Sequence, residues 1–134
     1  MFIRFASPYI HHESRRETGI FQTAYRLKRS GRLTEDEYDQ LCNLLHDVEC
    51  DLAVPACYRD AFIRESRKGE TICWFKTQAR EMIRSMWNVA WFLKEHGYSL
   101  MMIRTELPGR VMYEDRHQVA AVPFRRARQF RKWI

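Results

Sequence analysis

Residues 99–105, SLMMIRT, are the stretch that most limits what this chain can become. An unbroken apolar run of this length is too short to cross a membrane and suits a strand covered on both faces. Such a strand needs hydrogen-bonded neighbours, and the sequence supplies candidates. Beyond the tight turn LPGR come RVMYE (110–114) and HQVAAV (117–122), two strand-like segments around a polar tip. FIRFA at 2–6 alternates in the same way, and TICWF at 71–75 is β-branched and aromatic. Consecutive strands near the C-terminal end favour antiparallel or mixed pairing, and so an α+β rather than a doubly wound architecture.

Three segments between the strands carry helical spacing. Ser14 and Glu17 have the Ser-x-x-Glu form of a capping box, which predicts a helix opening at Arg15 and stopping at Gly31, with Ile20, Ala24 and Leu27 on one stripe. Thr34 and Glu37 repeat the signal before a helix over roughly 35–51, whose inward stripe is Leu41, Leu44, Leu45, Val48 and Leu52. The short SGRLT link predicts that these two pack as an antiparallel pair. The first is basic (Arg15, Arg16, Arg26, Lys28, Arg29, Arg32) and the second acidic (Glu35, Asp36, Glu37, Asp39, Asp47, Glu49), so side-by-side packing would screen both. Pro55 can open a further short helix through ACYRDAFI. Thr77 can cap a helix over 78–96 with Ala79, Met82, Ile83, Met86, Ala90 and Leu93 inward and Trp87 and Trp91 flanking. The expected fold is one α+β domain over 1–134, a mixed or antiparallel sheet of four to five strands packed against three to four helices.

Composition agrees with a packed core: 134 residues, 46% hydrophobic and 13% aromatic. The N-terminal MFIRFASPYIHHESRR is too polar for a signal or a span, and four scattered cysteines fit reduced thiols. A cytoplasmic protein without a membrane span and without a cofactor is expected. The net charge of +6 is mostly an end effect. The segment FRRARQFRKWI (124–134) holds five basic residues and no acid, whereas the remaining 123 residues carry 18 basic and 17 acidic. That points to one local basic feature rather than a wholly basic surface.

Candidate chemistry sits in four places. YEDRHQ (113–118) is the densest cluster of reactive side chains, and Glu106, Asp115 and His117 are the acid–base candidates of an enzyme reading. Strand alternation divides that cluster between two faces, and Asp at a turn normally accepts backbone N–H bonds, so a hairpin tip is the plainer reading. Cys42, His46 and Cys50 stand one turn apart in the second helix and could share a zinc with Cys57 or Asp39, although no Cys-x-x-Cys knuckle is present. His11, His12 and Glu13 offer a similar loop cluster, and Cys73 reads as a strand residue. The fourth place is the tail. On a helical wheel Phe124, Ala127, Phe130 and Ile134 share one side, and Arg125, Arg128 and Lys132 another. Phosphate-loop, dinucleotide and Gly-x-Ser-x-Gly patterns are all missing.

Two segments carry resemblances. VMYEDRHQVAAVP resembles the YED hairpin of pseudouridine synthases and histidine-triad hydrolases, where the hairpin is scaffold; the catalytic motifs of both families are absent from this chain. ICWFK, the long helix ending in HGY, and PGRVMYEDRHQVAAVPF together resemble a family of small bacterial proteins with no assigned activity. That likeness spans 72–124 and implies one strand–helix–strand–hairpin unit, with no cofactor, substrate or partner attached.

The functional expectation is therefore a non-enzymatic binding or assembly module. Its partner would be nucleic acid or a nucleoprotein complex, with protein–protein interaction and a small enzyme as the competing readings and self-association as a further option. The binding residues expected are Arg110, Arg116, Arg125, Arg126, Arg128, Phe130, Arg131, Lys132 and Trp133.

Overall fold

The computed structural model describes residues 1–10, 17–54, 71–125 and 128–134. The elements run β1 (Phe2–Ile10), β2 (Glu17–Gly19), α1 (Ile20–Lys28), α2 (Glu35–Glu49), β3 (Ile72–Lys76), α3 (Arg80–Glu95), β4 (Met101–Thr105), β5 (Arg110–Glu114), β6 (Gln118–Val122) and β7 (Phe130–Trp133). Among the described residues these are three helices and one seven-stranded sheet, ordered β5-β6-β3-β1-β4-β7 with β2 also on β1. Every pairing is antiparallel.

The sheet exceeds the four to five strands expected, and both additions come from segments that read as helix. Glu17 lies in β2 rather than in the first turn of α1, so the Ser14–Glu17 capping box does not open the helix. The cause is β1, which is nine residues long and pairs with β3 only at Phe2 and Ile3. Its C-terminal half needs another partner, and Ala6↔Gly19 and Ile10↔Glu17 supply it. The Thr18 hydroxyl reinforces this by donating to the Tyr9 carbonyl at 2.8 Å. The second addition, β7, takes the tail. The short helix expected from Pro55 lies outside the described residues.

β4 fulfils the prediction for the SLMMIRT run: Leu100, Met101, Met102 and Ile103 are all buried, on alternating faces. One face joins Ile3, Phe5, Phe75, Leu100 and Met102 to the inward stripes of all three helices. The other gathers Ala6, Ile72, Trp74, Met101, Ile103 and Val119. The helical stripes fall where the spacing put them, with Leu41, Leu45 and Val48 in α2 and Met82, Met86, Ala90 and Leu93 in α3 all buried. Full burial of one such side chain is worth about 1.5–3 kcal/mol.

Capping divides the two long helices. Thr34 and Glu37 form the reciprocal box at the start of α2. Thr77 does not cap α3, which starts after Ala79; the Ala79 N–H instead bonds the Lys76 carbonyl at 3.0 Å in a turn running directly out of β3. The helix pairing also differs from expectation, because α2 packs chiefly on α3 and only lightly on α1. Among the described residues no ion pair joins basic α1 to acidic α2. Three cations near α1 lie over tyrosine rings instead: Arg26 over Tyr9, Lys28 over Tyr25 and Tyr38, Arg32 over Tyr98. Besides the Lys28–Tyr38 contact, a hydrogen bond crosses from α1 to α2, the Tyr25 hydroxyl donating to Glu49. Partial burial and that carboxylate push the Tyr25 phenol up to about 12.

An ionic clamp fixes α3 to the start of α2. His96 Nδ1 donates to the Phe92 carbonyl at 2.8 Å, and Nε2 to Glu37 Oε2 at 2.7 Å. Both acceptors are acceptor-only, so the full set requires the doubly protonated imidazolium. The Phe92 carbonyl, then Glu37, raise the His96 pKa above its ordinary 6.5. On the other side the Thr34 N–H, then His96, lower Glu37 from 4.5 to about 2.

Two predictions arise here. Gly109 has φ +130°, and a Cβ there would stand 2.0 Å from the Val122 carbonyl oxygen, a backbone atom that cannot rotate away. Gly109→Ala should lower the unfolding free energy by at least about 2 kcal/mol, against about 1 kcal/mol for Gly31→Ala, where φ is +74° and the space is open. Urea denaturation of both variants reads the difference. For the clamp, the His96 contribution is complete below its unfolded pKa of 6.5 and fades as pH rises through the raised folded value. The Glu37 contribution is complete above 4.5 and fades as pH falls toward about 2. Wild type should therefore lose more stability than His96→Gln between about pH 5.5 and about pH 9; parallel curves would refute the clamp.

Candidate functional site

The tail enters the sheet as its last strand. Thr105 Oγ1 donates to the Arg128 carbonyl at 2.9 Å, and the Ile134 N–H bonds the Leu100 carbonyl at 3.0 Å, so both ends of β7 are fastened to the β4 segment. Without β7 the outer backbone groups of β4 would have no partner, and a helix would satisfy only itself. Strand geometry redistributes the side chains that a helical wheel had grouped. Phe130 and Ile134 do remain on one face, but Lys132, assigned to the opposite side of the wheel, lies between them. Arg131 and Trp133 take the reverse face.

All four residues of β7 are exposed, with Phe130 at 66% and Trp133 at 63%. The two faces differ electrically. On the reverse face Arg131 sits opposite Ile103 and forms an ion pair with Glu17 of β2. The Arg4 guanidinium adds a bond to the Glu17 carbonyl at 3.1 Å while lying 5.7 Å from the Trp74 ring centre. Burial raises the Glu17 pKa, but its backbone bond and the two arginines outweigh that and hold it below 4.5. On that face the exposed cation of β7 is already held in an ion pair. On the helix-bearing face Phe130 sits directly opposite Arg104, and Lys132 opposite Met102. Arg104 and Lys132 are exposed and form no ion pair with any described residue.

The remaining expected binding residues do not join this group. Arg125 and Arg128 are exposed beside the strand, and Arg126 lies outside the described residues. Arg110 opens β5 and Arg116 sits in the β5–β6 turn, at the other edge of the sheet. Five strand spacings put them roughly 24 Å from β7.

The YEDRHQ cluster is a hairpin tip. Asp115 accepts from the backbone N–H groups of His117 (2.8 Å) and Gln118 (3.0 Å), from the Tyr113 hydroxyl (2.8 Å) and from Gln118 Nε2 (3.3 Å). Burial raises the Asp115 pKa, but these donors outweigh it and the net shift is downward. Gln118, only 2% exposed, also donates to the Ala53 carbonyl at 2.7 Å and so ties the chain after α2 to the hairpin. Glu114 pairs with Lys76. Glu106 follows β4, about three strand spacings from β6, so Glu106, Asp115 and His117 do not converge.

Cys42, His46 and Cys50 keep their helical spacing along α2 and its C-cap, half-buried, exposed and exposed, and Cys42, Cys50 and Cys73 are not joined in disulfides. No group of three or more His, Cys, Asp or Glu placed to hold a metal occurs among the described residues. Cys57, His11, His12 and Glu13 lie outside them. An open groove of about 430 Å³ runs along α1, lined by Gln22, Tyr25, Arg26 and Arg29. Its Tyr25 hydroxyl is occupied by Glu49 and its Arg26 lies over Tyr9. No helix among the described residues is long and apolar enough to cross a membrane.

Sequence reasoning passed over Arg104 and Lys94, and placed Trp91 only as a flank of the inward stripe of its helix. Arg104 was concealed as the penultimate residue of an apolar run, although a charge there signals where the covering layer stops. Compared with known proteins, the chain matches no family model, no curated protein and no solved structure.

The hairpin yields a prediction. Asp115→Ala removes the acceptor of two backbone and two side-chain hydrogen bonds, and should cost about 1–3 kcal/mol in urea denaturation. A loss below about 0.5 kcal/mol would mean the carboxylate is only a solvated charge.

Proposed function

We propose that the protein is a non-catalytic binding module that engages single-stranded nucleic acid, free or within a nucleoprotein complex, through its basic-aromatic C-terminal segment. The observation carrying this reading is the exposure of a cationic and aromatic strand, the last in the order of the described sheet. Aromatic rings offer bases a stacking surface, and unpaired cations offer phosphates a charge; the combination suits flexible single strands. Phe130 is the stacking residue, and Arg125, Arg128 and Lys132 are the phosphate partners. A nearly neutral body with one basic margin fits local contact rather than enclosure of a ligand.

A protein-interaction reading has its own support, because among the described residues β7 has no strand on its outer edge, where a partner strand could add. Arg131 and Lys132 on that edge disfavour pairing with a second copy of the same strand. The enzyme reading has no converging acid–base group behind it among the described residues.

Fluorescence anisotropy with a labelled single strand of about 12 nucleotides tests the proposal. Binding should weaken with salt, with a log–log slope of about −0.7 per neutralised phosphate, and Lys132→Gln should reduce the slope by about one contact. Absence of binding at low salt would refute it.

A further inference from the structure

The two faces of β7 are unequal, and the difference assigns the ligand a path. We infer that a bound single strand lies across the helix-bearing face of β4 and β7, stacking on Phe130 and on Trp91, with Arg104, Lys132 and Lys94 at its phosphates. This rests on the reading of β7 as a nucleic-acid contact and adds the face, the second stacking platform and two cations outside the tail.

The placement follows from register. Directly opposed residues in a sheet share a face. Phe5, Met102 and Lys132 form one such row across β1, β4 and β7. The Trp87 ring stands edge-on to Phe5 at 5.1 Å, and Trp91 stacks on Trp87 at 6.3 Å. The tryptophan pair therefore rises from the same face as Lys132, above a row that reaches β7 in two strand spacings, about 10 Å. The adjacent row, Ile3, Arg104 and Phe130, runs parallel to it. Arg104 is exposed on a strand with a partner on each side, so the helices do not cover the sheet at this point.

Trp91 is 49% exposed, and Lys94 Nζ lies 5.0 Å from its ring centre. Trp91 thus repeats the pairing of aromatic surface and cation found at Phe130 beside Arg104. Glu106, at an exposed bend past the end of β4, is the nearest acid along that strand. The reverse face offers much less to a phosphate, since Arg131 is held by Glu17. Arg104 and Lys132, exposed and outside any ion pair with a described residue, therefore favour the helix-bearing face for a polyanion, and two separated aromatic surfaces favour a ligand with stackable bases.

The test uses the full chain and single-stranded DNA and RNA of the same sequence, after circular dichroism has shown that each variant keeps the wild-type spectrum and melting temperature. Phe130→Ala, Trp91→Ala and Arg104→Gln should each weaken binding about tenfold or more, and Trp133→Ala on the reverse face less than about threefold. Polyglutamate at equal charge should compete poorly. If Trp133→Ala is as damaging as Phe130→Ala, or Trp91→Ala has no effect, the path is wrong while the proposed function stands. If polyglutamate competes as well as the oligonucleotide and neither aromatic substitution matters, the surface is a general anion patch and the inference fails. If wild type binds neither strand, the proposed function falls with it.

Discussion

The two-sided pairing of β1 is the constraint on which the rest of the structure hangs. Its residues Phe2 to Ala6 pair continuously with β4 along one edge. The other edge is shared, first with β3 and then with β2. Because β1 is central, its alternating side chains serve both cores: Ile3 and Phe5 lie under the helices, and Ala6 on the reverse side. The need to occupy the outer half of β1 turns Glu17–Gly19 into strand and delays α1 to Ile20. The same logic, one strand outward, draws the tail onto β4. Backbone satisfaction thus overrode two helical signals that were locally sound.

Charge is handled in an unexpected way. The opposite signs of α1 and α2 invite ion pairs, but three cations around α1 lie over tyrosines, while α2 commits Glu37 to His96 and Glu49 to Tyr25. An aromatic ring supplies apolar contact along the aliphatic stem of a lysine or arginine as well as attraction for its head, and an exposed ion pair supplies little. The neutralised pairing on the reverse face, Arg131 with Glu17, involves a carboxylate mostly removed from water, where an unpaired charge would be costly. The unpaired cations remain on the helix-bearing face beside β7, and that asymmetry gives the edge a direction.

Much of the framework was legible. The apolar run before Arg104, the Thr34–Glu37 box, the α2 and α3 stripes and the hairpin around Asp115 all follow from periodicity and turn chemistry, which are local properties. The candidate site was legible only in composition. The tail announced its arginines and aromatics, but a helical wheel assigned Phe130 and Lys132 to different sides when the strand puts them on one. Arg110 and Arg116 read as neighbours of the tail, and the strand order puts them on the far edge.

The sequence by itself determined the segments that must be buried, the hairpin tip and the presence of one basic-aromatic margin, because each depends on residues close in the chain. Tertiary structure alone decided that Glu17 and the tail are strands, that Glu17 neutralises Arg131, and that Arg104 and Trp91 stand on the face of Phe130. Those outcomes depend on which unpaired edge each segment could reach. That is a property of the assembled sheet, in which residues a hundred positions apart become neighbours, and no local pattern encodes it.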